Sequence, residues 1–219
     1  MLDTVVATVV MGGEPSTAVP VQDEPLHHVV YSDNRLRVFD VDLPPHSVTL
    51  YHLHTNHMVG VTLMAGPTRE ETPGKPPEDA PADKPLEAWF DPHFQTDIHR
   101  VTNLGDSHIR MIVIELLTPG GSRKMGVERE KAAGEVQLEN DSVRAVRYSL
   151  RPGQTSSVQT SGSYVLVPLG PGRLANVCGT TDARSVEAAG FLCVGCEGDH
   201  KISNVGNVPI DLIEFEFGT

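Results

Sequence analysis

The chain has 219 residues, enough for one large domain or two small ones with a buried core. Its net charge of −12 argues against the clustered Lys and Arg surface that nucleic acid or an anionic membrane would require. A hydrophobic content of 39% is a globular value, and 20 Gly with 17 Pro predict many turns and few long helices.

In chain order, residues 1–27 read as an N-terminal extension. It opens MLDTVVATVVMGG, faintly apolar, with Asp3 and no Lys or Arg. That is a poor match to a secretion signal, so a cytoplasmic location is expected. No apolar run approaches the roughly 20 residues that a membrane helix needs. His27 and His28 are adjacent and near a loop, and read as surface residues.

Residues 28–120 form a first block. RLRVFDVDL, HMVGVTLM and IRMIVIEL are rich in β-branched and apolar residues and predict strands, with LPPH and NLGD as turns. PTREETPGKPPEDAPADKPLE, from Pro67, interrupts the block with proline and acid and little to bury. It reads as a mobile surface loop, either a lid over a barrel mouth or a tolerated insertion. RKMGVEREKAAGE holds the one plausible short helix, and residues 121–134 read as a linker.

Residues 135–219 form a second block, with strands VRAVRYSL, SYVLVPL and IDLIEFEF and turns RPGQ, LGPG and NVGN. The three cysteines, Cys178, Cys193 and Cys196, are odd in number and cluster late, which does not suggest a disulfide framework. Cys193 and Cys196 form a lone CxxC. It could be a redox pair or half a zinc site, but no second pair exists to complete the latter. We read both as small buried residues on a strand and its turn.

The two blocks are copies of one another. NRLRVFDVDLPPHSVTLYHLHTNHMVGV, from Asn34, aligns without a gap to DSVRAVRYSLRPGQTSSVQTSGSYVLVP, from Asp141. Leu36 meets Val143, Arg37 meets Arg144, Leu43 meets Leu150 and Pro45 meets Pro152. Downstream, His99, Asn103, Gly105 and Glu115 meet His200, Asn204, Gly206 and Glu216. Two matching blocks in the same order indicate duplication. Many short strands at this spacing suggest a sandwich or barrel.

The chemistry concentrates in LPPHSVTLYHLHTNHMVGV. His52 and His54 are two apart on a predicted strand, so both rings project to one face, close enough to share an ion. His99 is the best third ligand, because it occupies the same place in its block as His200. Neutral imidazoles suit Fe, Zn, Ni, Cu or Mn rather than Ca or Mg.

At these residues the chain resembles the cupin superfamily in its two-domain, bicupin form. His52 and His54 match the HxH of the family's first motif, and His99 with Asn103 matches the His and Asn of its second. The resemblance implies an all-β chain of two tandem double-stranded β-helix (cupin or jelly-roll) barrels. The N-terminal barrel would hold one divalent transition metal per chain, with Fe favoured and Mn, Ni, Zn or Cu as alternatives.

The departures also carry information. The family's glutamate falls at Met58, and the family's motif glycine falls at His46. The implied set of three neutral histidines is similar to that of the cupin thiol dioxygenases and some diketone-cleaving cupins. Without the carboxylate the ion's charge is uncompensated, which favours an anionic or bidentate oxygen or thiolate substrate. Met58 shares strand parity with His52 and His54 and should face inward. His57 could act as a further ligand only if a bulge turned it inward. His93, Gln95 and Asp97 share parity with His99 and could line the pocket.

In the second block the gap-free alignment sets Gln159, Ser161 and Val165 against His52, His54 and Met58, leaving only His200. That half is expected to be metal-free, completing a shared core or supplying an interface. The resemblance implies an enzyme acting on a small polar or anionic molecule, leaning to an Fe(II)-dependent dioxygenase. A metal-dependent isomerase, decarboxylase or lyase, and a small-molecule-binding bicupin without catalysis, are the alternatives. The expected partner is a small molecule, with a homodimer plausible and neither nucleic acid nor membrane involved.

Overall fold

The computed structural model describes residues 7–11, 14–118, 134–160, 163–177, 179–186, 190–195 and 198–217. Most of the expected inter-repeat helix lies outside these residues. The described chain is built from β-strands, with one short 3-10 turn at Val21–Asp23 and no α-helix. It divides into two compact units, Met1–Thr118 and Pro119–Thr219.

The first unit contains β1 (Ala7–Met11), β2 (Glu14–Pro20), β3 (His27–Ser32), β4 (Leu36–Leu43), β5 (His52–His54) and β6 (Met58–Met64). It continues with β7 (Thr68–Glu71), β8 (Glu78–Ala80), β9 (Ala88–Asp91), β10 (Asp97–Asn103) and β11 (Ile109–Leu116). One sheet runs β3-β4-β11-β6-β9 and the other β1-β2-β5-β10-β7-β8. The second unit contains β12 (Glu135–Glu139), β13 (Val143–Leu150), β14 (Thr155–Thr160), β15 (Tyr164–Pro168) and β16 (Gly172–Ala175). β17 (Arg184–Val186), β18 (Cys193–Gly195), β19 (Gly198–Asn204) and β20 (Ile210–Phe217) complete it. Its sheets run β12-β13-β20-β15-β18 and β14-β19-β16-β17. The strand orders of the two units correspond, so each is a double-stranded β-helix barrel and the predicted fold class holds.

The cores follow from sequence pattern. On β4, Leu36, Val38, Phe39, Val41 and Leu43 are buried while Arg37, Asp40 and Asp42 are half-exposed; burial alternates on either side of Val38–Phe39, where two successive residues are buried and the parity switches. β6 and β15 are mid-sheet and read as near-continuous apolar runs, and their residues are almost all buried. Asn103 and Asn204 stitch the same corner in each barrel. Asn103 Nδ2 donates to the carbonyls of Leu43 and Ser107, and its Oδ1 accepts from the Gly105 N–H. Asn204 does the same with Leu150, Val208 and Gly206. The second-motif Asn is therefore a buried brace rather than part of the chemistry.

Three expectations are corrected here. The proline-rich stretch from Pro67 is not a featureless loop: β7 pairs with both β10 and β8, and Arg69 clasps Asp79 across the hairpin at 2.6 and 2.9 Å. Most of its polar side chains are exposed, with Thr68 and Glu71 half-buried, and the pairing of backbone groups gives it order without a core. Cys193 is disulfide-bonded, where the sequence read it as a small buried residue. His27 is not a surface residue: its ring lies against His52 and lines the interior cavity.

Candidate metal site

The site lies in the first barrel, where β5 and β10 run antiparallel. His52 pairs with His99 and His54 with Asp97. Val48 bridges Thr102, so the chain advances four residues to His52 while its partner advances three to His99. The additional residue is a β-bulge at Leu50–Tyr51. It lets Thr49 and His52, three apart in sequence, both line the interior cavity. Tyr51 is turned the other way, against Ala18 and Ile98 and under the Arg100 guanidinium.

The second barrel lacks this bulge: Thr155 pairs with Ser203 and Val158 with His200, three residues against three. The residues opposite His200, Gly198 and Glu216 are therefore Val158, Thr160 and Tyr164. They are the structural counterparts of His52, His54 and Met58, one residue away from the gap-free assignment to Gln159, Ser161 and Val165. The Tyr164 ring stacks on His200 at 4.1 Å, and His200 Nε2 meets Glu214 Oε2 at 2.8 Å. An aromatic ring thus fills the space beside the one retained histidine.

In the first barrel, His52, His54 and His99 converge. Their ring centroids are 4.7–4.9 Å apart, and one ligand atom of each lies within 4.8 Å of the other two. Among the described residues this is the one such group. His52 Nδ1 donates to the Leu50 carbonyl at 2.9 Å, and His99 Nδ1 lies 3.2 Å from Asp97 Oδ2. Both rings then keep Nε2 available. His54 is 4% exposed, and neither of its nitrogens has a hydrogen-bond partner. Burial, and after it the neighbouring His27 and His99, push the His52 pKa down to about 3. Burial and the neighbouring His99 and His52 push His54 well below the ordinary histidine range. Both are neutral at physiological pH, the form that binds a metal.

The other site candidates are distributed as follows. Met58 is buried and lines the cavity, as its parity predicts. Asp97 orients His99, and Glu70 Oε1 lies 3.7 Å from the same Nδ1. His93 stacks on His54 at 5.1 Å and is held above its ordinary pKa by Asp91. His93 Nε2 is 3.2 Å from Asp91 Oδ2, an ion-pair distance without the alignment of a hydrogen bond. His57 is not brought to the cavity. Its Nδ1 accepts from the His93 backbone N–H, and its ring packs on Phe90 and Phe94. Glu115 is tied up by Arg37 at 2.7 Å and Asn56 at 2.9 Å.

His27, read from sequence as a surface residue, lies against His52 at 4.8 Å and lines the cavity. Its Nδ1 meets Glu24 Oε2 at 2.6 Å. Glu24 is 2% exposed, and its carboxylate also accepts from the N–H groups of Leu26 at 2.7 Å and Leu50 at 3.2 Å. Burial raises the Glu24 pKa, but His27 and these amides outweigh it and hold the carboxyl below its ordinary value. The sequence signal that could have found the pair is Glu24 three residues before His27, at the entry to β3.

Beside the histidines is a cavity of about 280 Å³. Val41, Leu43, Ile109, Met111 and Val113 form its floor and Trp89 one wall. Gly60 allows that wall: a Cβ there would come within 2.5 Å of the Ile112 carbonyl and 2.7 Å of the Trp89 ring. Thr68, Glu70 and Asp83 contribute from the proline-rich stretch, so this segment is part of the cavity wall.

No protein-family model matches the sequence, and no curated protein matches it. Solved structures do. AerE from Microcystis aeruginosa is 12% identical, with 90% of this chain and 99% of that chain covered at a TM-score of 0.62. Salicylate 1,2-dioxygenase from Pseudoaminobacter salicylatoxidans, crystallised as adducts with gentisate, is also 12% identical, with 85% and 69% covered at 0.55. A cupin 2 conserved barrel domain protein from Leptotrichia buccalis is 8% identical, with 86% of each chain covered at 0.51. At these identities the likeness is one of fold. Among the described residues, no helix is long and apolar enough to cross a membrane.

Proposed function

Starting from a chain with the cupin fold in two barrels, we propose that the first barrel is a metal-dependent enzyme site and that the reaction is a dioxygenation of a small molecule. His52, His54 and His99 would hold one divalent transition ion, Fe(II) by preference. The observation that carries this reading is His54, buried with both ring nitrogens unpartnered. Leaving buried polar groups unsatisfied costs about 1–3 kcal/mol each, and a metal bond accounts for one of them.

The donor set fits such an ion. Three neutral imidazoles suit the middle and later first-row metals, and only three protein ligands leave positions open. When bound, a redox-active ion supplies a Lewis acid and a source of electrons for O2 at those positions. The chain's own residues do the rest. The Leu50 carbonyl and Asp97 fix the rings of His52 and His99, and His93 buttresses His54 by stacking. The apolar floor keeps water away from a substrate lodged in the cavity.

The test is metal content followed by oxygen uptake. Full-length protein reconstituted anaerobically with Fe(II) should hold one equivalent, and His52→Ala and His54→Ala should hold none. O2 consumption with small ring and carbonyl compounds should depend on that equivalent. A chain that takes up no transition metal, as purified or on addition of Fe, Mn, Ni or Zn, overturns the reading. One that takes up the metal but consumes no O2 leaves a binding or redox-neutral site.

A further inference from the structure

We infer that the ligand of this cavity is a small, neutral or cationic molecule with an apolar body, and not an anion. The inference rests on the cavity being the substrate site proposed above.

The charge of the barrel comes first. Residues 1–118 hold 17 of the 29 Asp and Glu but only 7 of the 17 Lys and Arg, so nearly all of the net −12 belongs to this half. The distribution around the cavity has the same sign. Glu70, Asp83 and Asp91 line it, and no Lys or Arg does so among the described residues. In an adjoining open cleft that shares Glu70, Asp91 and His99 with the cavity, Lys75 is the single Lys or Arg among the described residues, beside Glu70, Asp91 and Asp97. A site for a carboxylate or phosphate ordinarily supplies an Arg fork or a Lys to receive it, and none lines this cavity.

The missing glutamate at Met58 would leave a divalent ion unbalanced if nothing replaced it. The structure replaces it one layer out: Asp97 and Glu70 stand at 3.2 and 3.7 Å from His99 Nδ1, and Glu24 stands behind His27, which contacts His52. The ion is therefore balanced by the protein and does not require an anionic substrate.

A metal bond would satisfy only one nitrogen of His54 and leave the other unpartnered beside the cavity. His54 lines it, 4% exposed, with both nitrogens unpartnered. Around it, Val41, Ile109, Val113 and Trp89 offer apolar contact and an aromatic face that would also receive a cation. A volume of about 280 Å³ lies at the lower end for ligand pockets and suits a single ring rather than a drug-sized molecule.

The experiment uses three probes of one ring and three charges: benzylamine, benzamide and benzoate. Each is titrated calorimetrically into the full chain, once metal-free and once loaded with Zn(II). Benzylamine and benzamide are expected to bind at least about tenfold more tightly than benzoate in both forms. Asp83→Lys with Asp91→Lys, both at exposed positions, should narrow that preference by a comparable factor. Equal or tighter binding of benzoate, no effect of the paired charge reversal, or no binding of any probe overturns the inference. A chain that takes no Zn(II) yet keeps the preference overturns the metal reading and leaves the ligand class standing.

Discussion

The Glu24 carboxylate accepts a hydrogen bond from the Leu50 N–H at 3.2 Å, and the carbonyl of that same Leu50 receives His52 Nδ1–H at 2.9 Å. A buried acid on the strand entry thereby holds the bulge that sets the tautomer and direction of a candidate ligand. Outer partners of metal-bound histidines typically carry a 10–100-fold effect on affinity. Glu24→Gln keeps the size but sets an amide N–H2 against the donors of Leu26 and His27. Competition titration against a chelator should find its metal affinity lowered about 10–100-fold, with one equivalent still bound. An unchanged affinity would leave Glu24 as a purely structural acid.

Met58 occupies the inward position at which a fourth, charged ligand would complete the set. Met58→Glu should tighten divalent metal binding by at least about tenfold, or ~1.4 kcal/mol. In the metal-free protein the same change buries a carboxylate among apolar neighbours and should cost roughly 3 kcal/mol of stability. The opposite signs of the two effects, read by chelator competition and by urea unfolding without metal, distinguish a ligand from a packing change. If the variant loses stability and gains no affinity, position 58 does not address the ion.

The duplication was legible because it is written in residues that make backbone corners. Asn103 and Asn204 with Gly105 and Gly206 align by sequence, and they make matching hydrogen bonds. The pairing of His52 with His54 in the three-histidine cluster was legible for the same local reason, since HxH on a strand puts both rings on one face. What escaped was non-local or irregular. A bulge carries no residue signature, so the alignment slid by one between Thr49 and His52. His27 reaches His52 only because β3 and β5 meet in space, and no spacing rule announces that. The hairpin of β7 and β8 is held by backbone pairing and one Arg–Asp clasp, while its composition is that of a loop.

His46 has φ 58°, and its repeat partner Gly153 has φ 77°. The first-block turn thus carries a β-carbon in the left-handed region that the second block assigns to glycine. The conformation costs an L-residue about 1–2 kcal/mol, against which glycine loses roughly 0.5–1 kcal/mol of chain entropy. The His46 contact to Asp106, at 3.0 Å between side chains 66% and 97% exposed, offsets little of this. His46→Gly should therefore raise stability slightly, by up to about 1 kcal/mol, and Gly153→Ala should lower it by about 1 kcal/mol. Denaturant midpoints at constant slope provide the measurement. A loss of stability in His46→Gly would mean that the histidine has partners in solution beyond Asp106.

Acid should unfold the metal-free protein earlier than its carboxylates alone would dictate. His52 titrates near 3 in the folded chain, against 6.5 when unfolded, and His54 is shifted the same way. A depressed folded pKa means that the unfolded state binds more protons below 6.5. The stability is present in full above that pH and drains away as pH falls towards the folded values. Each ring should contribute a slope of up to about 1.4 kcal/mol per pH unit once the unfolded histidine is protonated. Asp and Glu groups with lowered pKa values, such as Glu24 and Asp97, add the same sign only from about 4.5 downwards. His93 is raised, so its contribution is complete below 6.5 and is lost only as pH rises. The window between pH 6.5 and 4.5 therefore belongs to His52 and His54. Urea unfolding across it should show a steady fall in stability that His52→Leu reduces. A flat profile would mean that these rings are hydrated, and neither buried nor poised for an ion.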